Sequence, residues 1–513
     1  MRDRLICLAV AMGSFATTAN AAVTLSSAAT ANMTCSGGVC APTAKNAVLN
    51  VGDLETLLAS GSVTVTTTGT GVQANDIDVK SALSWSSSGA LSLLANKSIT
   101  VDNPVSVTGL GGLAITTGKK GTFSFGKKGN VTFANLPSPL SINGAAYTLV
   151  GDLETLSSDI AASPSGDFAL ASNYDASGNG SVSVSTTFTG TFEGLGNVIS
   201  NFVPDTRRGN RRDNVVNVGL FEEVGASGVV RDIGLTNVSL TFVKQKGVKE
   251  ILFVGTLVGY NSGTVLSSYA TGTITDYAGA DDGGLVSQNY GTIINSHAAV
   301  AIVGTTKKGS TNVGGLVQLN GGIISSCYAT GAVSGIAGGG LVSYGIDGST
   351  IADSYATGDV QIGSKSEVVS RGGGLVGLSA GAISNSYATG NVQSGAPAVN
   401  GSISLGGLVG ENDSTISLAY STGAVAGGTG SIMGGLVGTD SSQPGSITDT
   451  YWDTETSGQS QGAGNVANDP GITGLTTAQF QSGLPTGFDP TICNENPNVL
   501  DGFPYLLANQ PVK

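Results

Sequence analysis

Gly373-Gly374-Leu375-Val376-Gly377 opens a unit that runs on to Ser386-Tyr387-Ala388-Thr389-Gly390-Asn391-Val392. Both elements recur. The leucine returns at Leu257, Leu285, Leu316, Leu341, Leu375, Leu408 and Leu436. The aromatic position returns at Tyr269, His297, Tyr328, Tyr355, Tyr387, Tyr420 and Tyr451. Steps of about 25 to 34 residues suit stacked supersecondary units. The gap from leucine to aromatic is 12 residues in five of the seven units. Two markers that keep step in this way indicate true repeats, beyond a bias toward glycine.

Within a unit, glycines permit close backbone approach while Leu and Val supply core. Turns such as Asn261-Ser262-Gly263, Asn289-Tyr290-Gly291 and Asn320-Gly321-Gly322 follow, in residues that tolerate left-handed geometry. No unit holds a helical period. One unit cannot bury its apolar side alone, so copies must stack, each strand pairing with the next. A propeller needs four strands per blade, and these units are too short for that. The expected fold is all-β: an elongated right-handed parallel β-solenoid (β-helix) with a small C-terminal cap.

The divisions expected are a signal peptide over 1–21 and a linker over 22–45 carrying Cys35 and Cys40. Solenoid sections follow over 46–140, 141–250 and 251–457, then a cap or tail over 458–513. Val51-Gly52-Asp53-Leu54-Glu55 returns as Val150-Gly151-Asp152-Leu153-Glu154, read as short helical turns that start new sections. Leu475-Thr476-Thr477-Ala478-Gln479-Phe480 reads as a short helix capped by Thr, placed to cover the open end of the stack.

Composition agrees with an all-β chain. There are 79 glycines, one histidine and only 11% charged residues. Regular Leu, Ile and Val argue against disorder. A net charge of −13 disfavours nucleic acid, which needs clustered positive charge. Arg2 and Arg4, the apolar run Leu5 to Met12, and Ala19-Asn20-Ala21 read as a secretory signal. No segment is long enough for an integral membrane helix. The expected location is therefore extracellular or on the outer cell surface, where Cys35 and Cys40 can form a local disulfide. Cys327 stands where sister repeats have Ser268, Ser354 and Ser386, and its pairing with Cys493 stays open.

Gly284-Leu285-Val286, Gly315-Leu316-Val317, Gly374-Leu375-Val376-Gly377, Gly407-Leu408-Val409-Gly410 and Gly435-Leu436-Val437-Gly438, with the Ser-Tyr-Ala-Thr-Gly strands, resemble the GLUG-motif repeats of bacterial surface proteins. The region 46–140 is similar to filamentous-haemagglutinin-like adhesins. The resemblance implies an exported surface solenoid linked with adhesion, its partner a host or bacterial surface glycan or protein. Relatives with a zinc peptidase domain differ, since no His-Glu-x-x-His occurs here.

Candidate chemistry is sparse. Arg207, Arg208, Arg211 and Arg212 form a basic cluster, read either as an anion or glycan contact or as a solvated loop. Lys119-Lys120 and Lys307-Lys308 read the same way. Tyr269, Tyr328, Tyr355, Tyr387 and Tyr420 are the other binding candidates. Alternation puts Ser268, Ala270 and Ile274 on one face and Tyr269 with Thr271 opposite. The tyrosines are then an exposed stripe able to stack on a partner, or a buried ladder after a bend that reverses the parity; the ladder is preferred. His297 reads as a structural substitution in that series. Asp281 with Asp282, and Asp449 with Asp453 and Glu455, are the nearest carboxylate groups. Without recurring partners they read as turn and surface residues in place of an acid/base pair or a calcium site. The expectation is a non-enzymatic adhesin-like solenoid without metal or cofactor. A polysaccharide lyase or hydrolase and a structural matrix protein are the alternatives. A cleft with two or three converging acids, or an Arg beside them, would favour the enzyme.

Overall fold

The computed structural model describes residues 22–178, 182–204, 215–242, 251–304, 311–363, 369–395, 397–398 and 403–511. Strands are short, and almost all pair in parallel with the strand one turn of the coil away. The chain is a parallel β-solenoid, and each turn is called a rung below. Leu83–Trp85, Leu91–Leu94 and Ile99–Val101 show the local cause: apolar residues alternate and point inward.

Two stacks share this architecture. In the first, one face runs through Ala22–Ser26, Asp76–Val79, Ile99–Val101 and Phe123–Phe125. A second runs through Leu83–Trp85, Val105–Val107 and Val131–Phe133. The third joins Val63–Thr66, Leu91–Leu94, Leu113–Thr116 and Leu140–Ile142. The expected linker is therefore structured. Ala22–Ser26 lies between Ala47–Asn50 and Asp76–Val79. Met33–Ser36 and Val39–Pro42 form a hairpin closed by the Cys35–Cys40 disulfide.

Helix α1 (Val51–Ser60) is capped by Asn50 and sends Leu54 and Leu58 into the first core. Helix α2 (Leu153–Ala162) is capped by Asp152 and sends Leu153, Leu156 and Ile160 into the second. Between the stacks, Ala145–Val150 pairs antiparallel with Leu140–Ile142 and parallel with Asp167–Leu170. The hydrophobic core divides there, Leu149 belonging to the first cluster and Val150 to the second. The sections expected over 141–250 and 251–457 share one core.

The second stack holds the repeats. Its Gly-Leu-Val elements turn between two eight-stranded faces, the first including Ser370–Gly373 and Ile403–Gly406, the other Val376–Ser379 and Val409–Asn412. All seven repeat leucines are fully buried. Six of the seven leucines follow a glycine that has no room for a side chain (Thr256 precedes Leu257): a Cβ on Gly374 would lie 2.1 Å from the Gly407 carbonyl oxygen. Asn261 Nδ2 donates to Asn289 Oδ1, and Asn289 Nδ2 to Asn320 Oδ1, both at 2.7 Å. The turn asparagines thus form a buried amide ladder.

Before each aromatic strand the chain turns a corner at a residue of positive φ: Ser267, Asn295, Ser326, Asp353, Asn385, Leu418 and Asp449. Ala270, Ala298, Ala329, Ala356 and Ala388 then point into the core. The stack also continues beyond 457, because Ile472–Leu475 pairs with Ile447–Asp453.

Candidate functional site: the aromatic ladder and its strap

Parallel in-register pairing sets each aromatic residue on the next: Tyr269 on His297, His297 on Tyr328, Tyr328 on Tyr355, Tyr355 on Tyr387 and Tyr387 on Tyr420. Centroids are 5.0, 4.4, 4.9, 4.9 and 5.1 Å apart, and the planes lie within 9° of parallel. The first ring lies over Gly234, where an added Cβ would stand 2.4 Å from Tyr269 Cζ. Ring faces are therefore used up in stacking. What the ladder turns outward is ring edges and hydroxyls.

The expected parity is kept, since Ala270 and Ala388 face the core and the rings face away from it. The bend invoked for a buried ladder is absent; burial comes from outside. After Leu475 the chain folds back along the side of the stack, so the expected cover over its open end is corrected. Helix α3 (Thr477–Phe480) carries a capping box between Thr476 and Gln479. Phe480, Cys493 and Leu506 form one apolar cluster with Tyr355, Tyr387, Tyr420 and Tyr451. Backbone carbonyls of this strap accept from the tyrosines: Tyr451 Oη donates to Thr486 at 2.7 Å, Tyr355 Oη to Gln510 at 3.3 Å, and Tyr420 Oη to Pro504. Asn509 Nδ2 donates to the Cys327 and Asp353 carbonyls.

The binding candidates thus divide. Tyr355, Tyr387 and Tyr420 are 0, 2 and 1% exposed, so the expectation of an available contact is corrected for them. Tyr269, His297 and Tyr328 remain half-buried, Tyr328 at the edge of the strap cluster. Burial lowers the His297 pKa to about 4, leaving it neutral and a weak proton acceptor at physiological pH. Burial raises Tyr328 to about 12 and the hydroxyls of Tyr387 and Tyr420 well above their ordinary value. Cys327 and Cys493 are free and buried. Arg207, Arg208, Arg211, Arg212, Lys307 and Lys308, and the signal segment 1–21, lie outside the described residues.

The carboxylates resolve separately. Asp453 is buried and accepts from the Glu455 and Thr456 amides and from Thr477 Oγ1, and Glu455 accepts from the Thr477 amide. They fasten the start of the strap. Asp281 accepts from Asn312 Nδ2 at 2.8 Å, and burial raises its pKa to about 6. Asp282 takes a core position between Val254 and Val313; both its carboxylate oxygens are buried without a hydrogen-bond partner, and burial raises its pKa strongly. Among the described residues no group of three or more His, Cys, Asp and Glu could hold a metal ion.

One constellation was missed by sequence reasoning. At the junction of the stacks, Arg231 Nε lies 2.7 Å from Asp232 Oδ2 and 3.1 Å from Glu193 Oε2. Its Nη2 donates to the Phe123 carbonyl of the first stack at 2.8 Å. Glu193 is fully buried and its Oε1 accepts from the Leu195 amide. Burial, with Asp232 beside it, raises the Glu193 pKa to about 8. The three residues sit outside the repeats, so no periodic signal marked them.

No protein-family model matches the chain. Halomucin of Haloquadratum walsbyi (strain DSM 16790 / HBSQ001) is 34% identical over 116 residues, covering 22% of this chain. The matched part is 1% of that relative's length. Among solved structures, an IgA1 protease is similar at 20% identity and a TM-score of 0.41, over 53% of this chain and 21% of the other. A crystal structure of a candidate immunoglobulin A1 protease from Bacteroides ovatus is similar at 17% identity and a TM-score of 0.38, over 71% and 93%. These are names of enzymes, and the expectation of a non-enzymatic chain is corrected on that account. Glu193, Asp232 and Arg231 do converge, as a buried cluster and not in a cleft.

Proposed function

We propose that this is an exported attachment protein, a rod that holds a partner surface through contacts repeated from rung to rung. The in-register stack carries this reading. Thr264, Thr292, Ile323 and Thr350 occupy one column, and Tyr269, His297 and Tyr328 another. A partner that fits one rung meets nearly the same chemistry at the next, so weak contacts add. The Cys35–Cys40 disulfide supports an oxidising, exported location. The likeness of the Gly-Leu-Val and Tyr-Ala-Thr-Gly elements to GLUG-type repeats supports surface attachment. Among the described residues no helix is long and apolar enough to cross a membrane.

The test is retention of beads coated with the full chain on bacterial and host-cell surfaces, glycan-coated surfaces and bare controls. Retention above uncoated beads on one surface class is expected. Equal retention everywhere would overturn the reading.

A further inference from the structure

The strap shows how the ladder is bound from outside. It approaches the ring edges as an irregular extended segment. Thr486, Pro504 and Gln510 offer backbone carbonyls to tyrosine hydroxyls, while Phe480 and Leu506 fill the space between the rings. Among the described residues the strap reaches the Tyr355 hydroxyl through Gln510 and the Cys327 carbonyl through Asn509, while the next ring, Tyr328, packs against the edge of the strap cluster and stays half-buried. Tyr328, His297 and Tyr269 continue the same stack at the same spacing.

We infer that this uncovered ladder edge is a docking site for an extended, uncharged polypeptide segment of a partner, held as the strap holds Tyr355 to Tyr451. The inference rests on the attachment reading above and names the kind of partner. Continuity with the strap interface argues for a peptide. The Tyr269 and Tyr328 hydroxyls make no hydrogen bond to any described residue, and they stand where their sister hydroxyls donate to carbonyls. Geometry argues against sugar stacking, because each ring face already lies against another ring or over Gly234. Neutral His297 at the centre adds no charge, which suits a segment without one.

The probe is a synthetic peptide with the sequence of residues 502–511 and blocked termini, which carries no charged side chain, titrated against the full chain. Binding is expected, and a Tyr269→Phe/Tyr328→Phe double variant should weaken it by about tenfold, since two hydroxyl donors are lost while the stack is kept. An unchanged thermal unfolding curve for that variant confirms the fold. Absence of binding, or equal binding by the double variant, overturns the inference. So does weakening only in a Tyr355→Phe/Tyr420→Phe variant, which would mean that the peptide displaces the chain's own strap. A chain that fails with the peptide but retains coated beads loses this inference and keeps the attachment reading.

Discussion

Tyr328 and Tyr387 stand in the same Tyr-Ala-Thr-Gly sequence on the same ladder, each stacked between two rings, His297 and Tyr355 for the first and Tyr355 and Tyr420 for the second. Tyr387 is 2% exposed and Tyr328 is half-buried. The repeat builds the ladder, and a remote, non-repeating segment decides which part of it remains available. Local sequence sets what a rung presents; long-range packing sets who can reach it.

That contrast can be broken most strongly at the rings. Tyr420→Ala should cost about 3 to 5 kcal/mol in the stability of its rungs, because a buried aromatic and a strap contact go together. Tyr269→Ala, outside the strap, should cost about 1 kcal/mol. Amide hydrogen exchange around each position measures both, and it suits a stack whose rungs need not unfold together. Equal losses would mean that the strap adds nothing to the ladder's stability.

The junction offers a second contrast, between a buried acid and the exposed charges elsewhere. Glu193 has its pKa raised from an ordinary 4.5 to about 8, so the folded state holds a proton that the unfolded chain releases. The stabilisation carried by the protonated form is fully present below about pH 4.5 and is lost as pH rises through about 8. Denaturant midpoints should fall over that window, buried Asp281 and Asp282 contributing in the same sense, and Glu193→Gln should remove part of the fall. An unchanged pH profile in that variant would show that the proton resides elsewhere.

The smallest effect separates the hydroxyls under the strap. Tyr420 and Tyr451 donate to strap carbonyls, whereas Tyr387 Oη is buried without a hydrogen-bond partner. Tyr451→Phe should cost about 1 kcal/mol, while Tyr387→Phe should be neutral or stabilising by up to about 1 kcal/mol. Urea midpoints of the two variants decide this, and a clear loss for Tyr387→Phe would contradict the assignment.

Much of the architecture was legible because it is periodic. The leucine and aromatic series marked the rungs, and alternation put Ala270 and Tyr269 on opposite faces, although the bend preferred for a buried ladder would have reversed that parity. The N-cap helices were visible as paired Val-Gly-Asp-Leu-Glu segments. The strap was not legible as a side cover: its bonds join Tyr420 to Pro504 and Cys327 to Asn509, and no local pattern reports contacts across such separations. The hairpin at Cys35–Cys40 looked like a linker because its pairing partner is the distant Val63–Thr66. Glu193, Arg231 and Asp232 escaped notice for the same reason. Glu193 meets Arg231 because Thr191–Glu193 pairs in register with Val229–Arg231 outside the repeats, and only the Arg231 bond to the Phe123 carbonyl depends on how the stacks join.

Limited iodination of the native chain, read tyrosine by tyrosine by mass spectrometry, tests the covered ladder most directly. Tyr277 and Tyr290, 59 and 43% exposed, should react readily and Tyr355, Tyr387 and Tyr420 should not; removal of residues from Thr476 onward should make those three reactive. Reaction of Tyr387 and Tyr420 in the intact chain at the rate of Tyr290 would contradict the account.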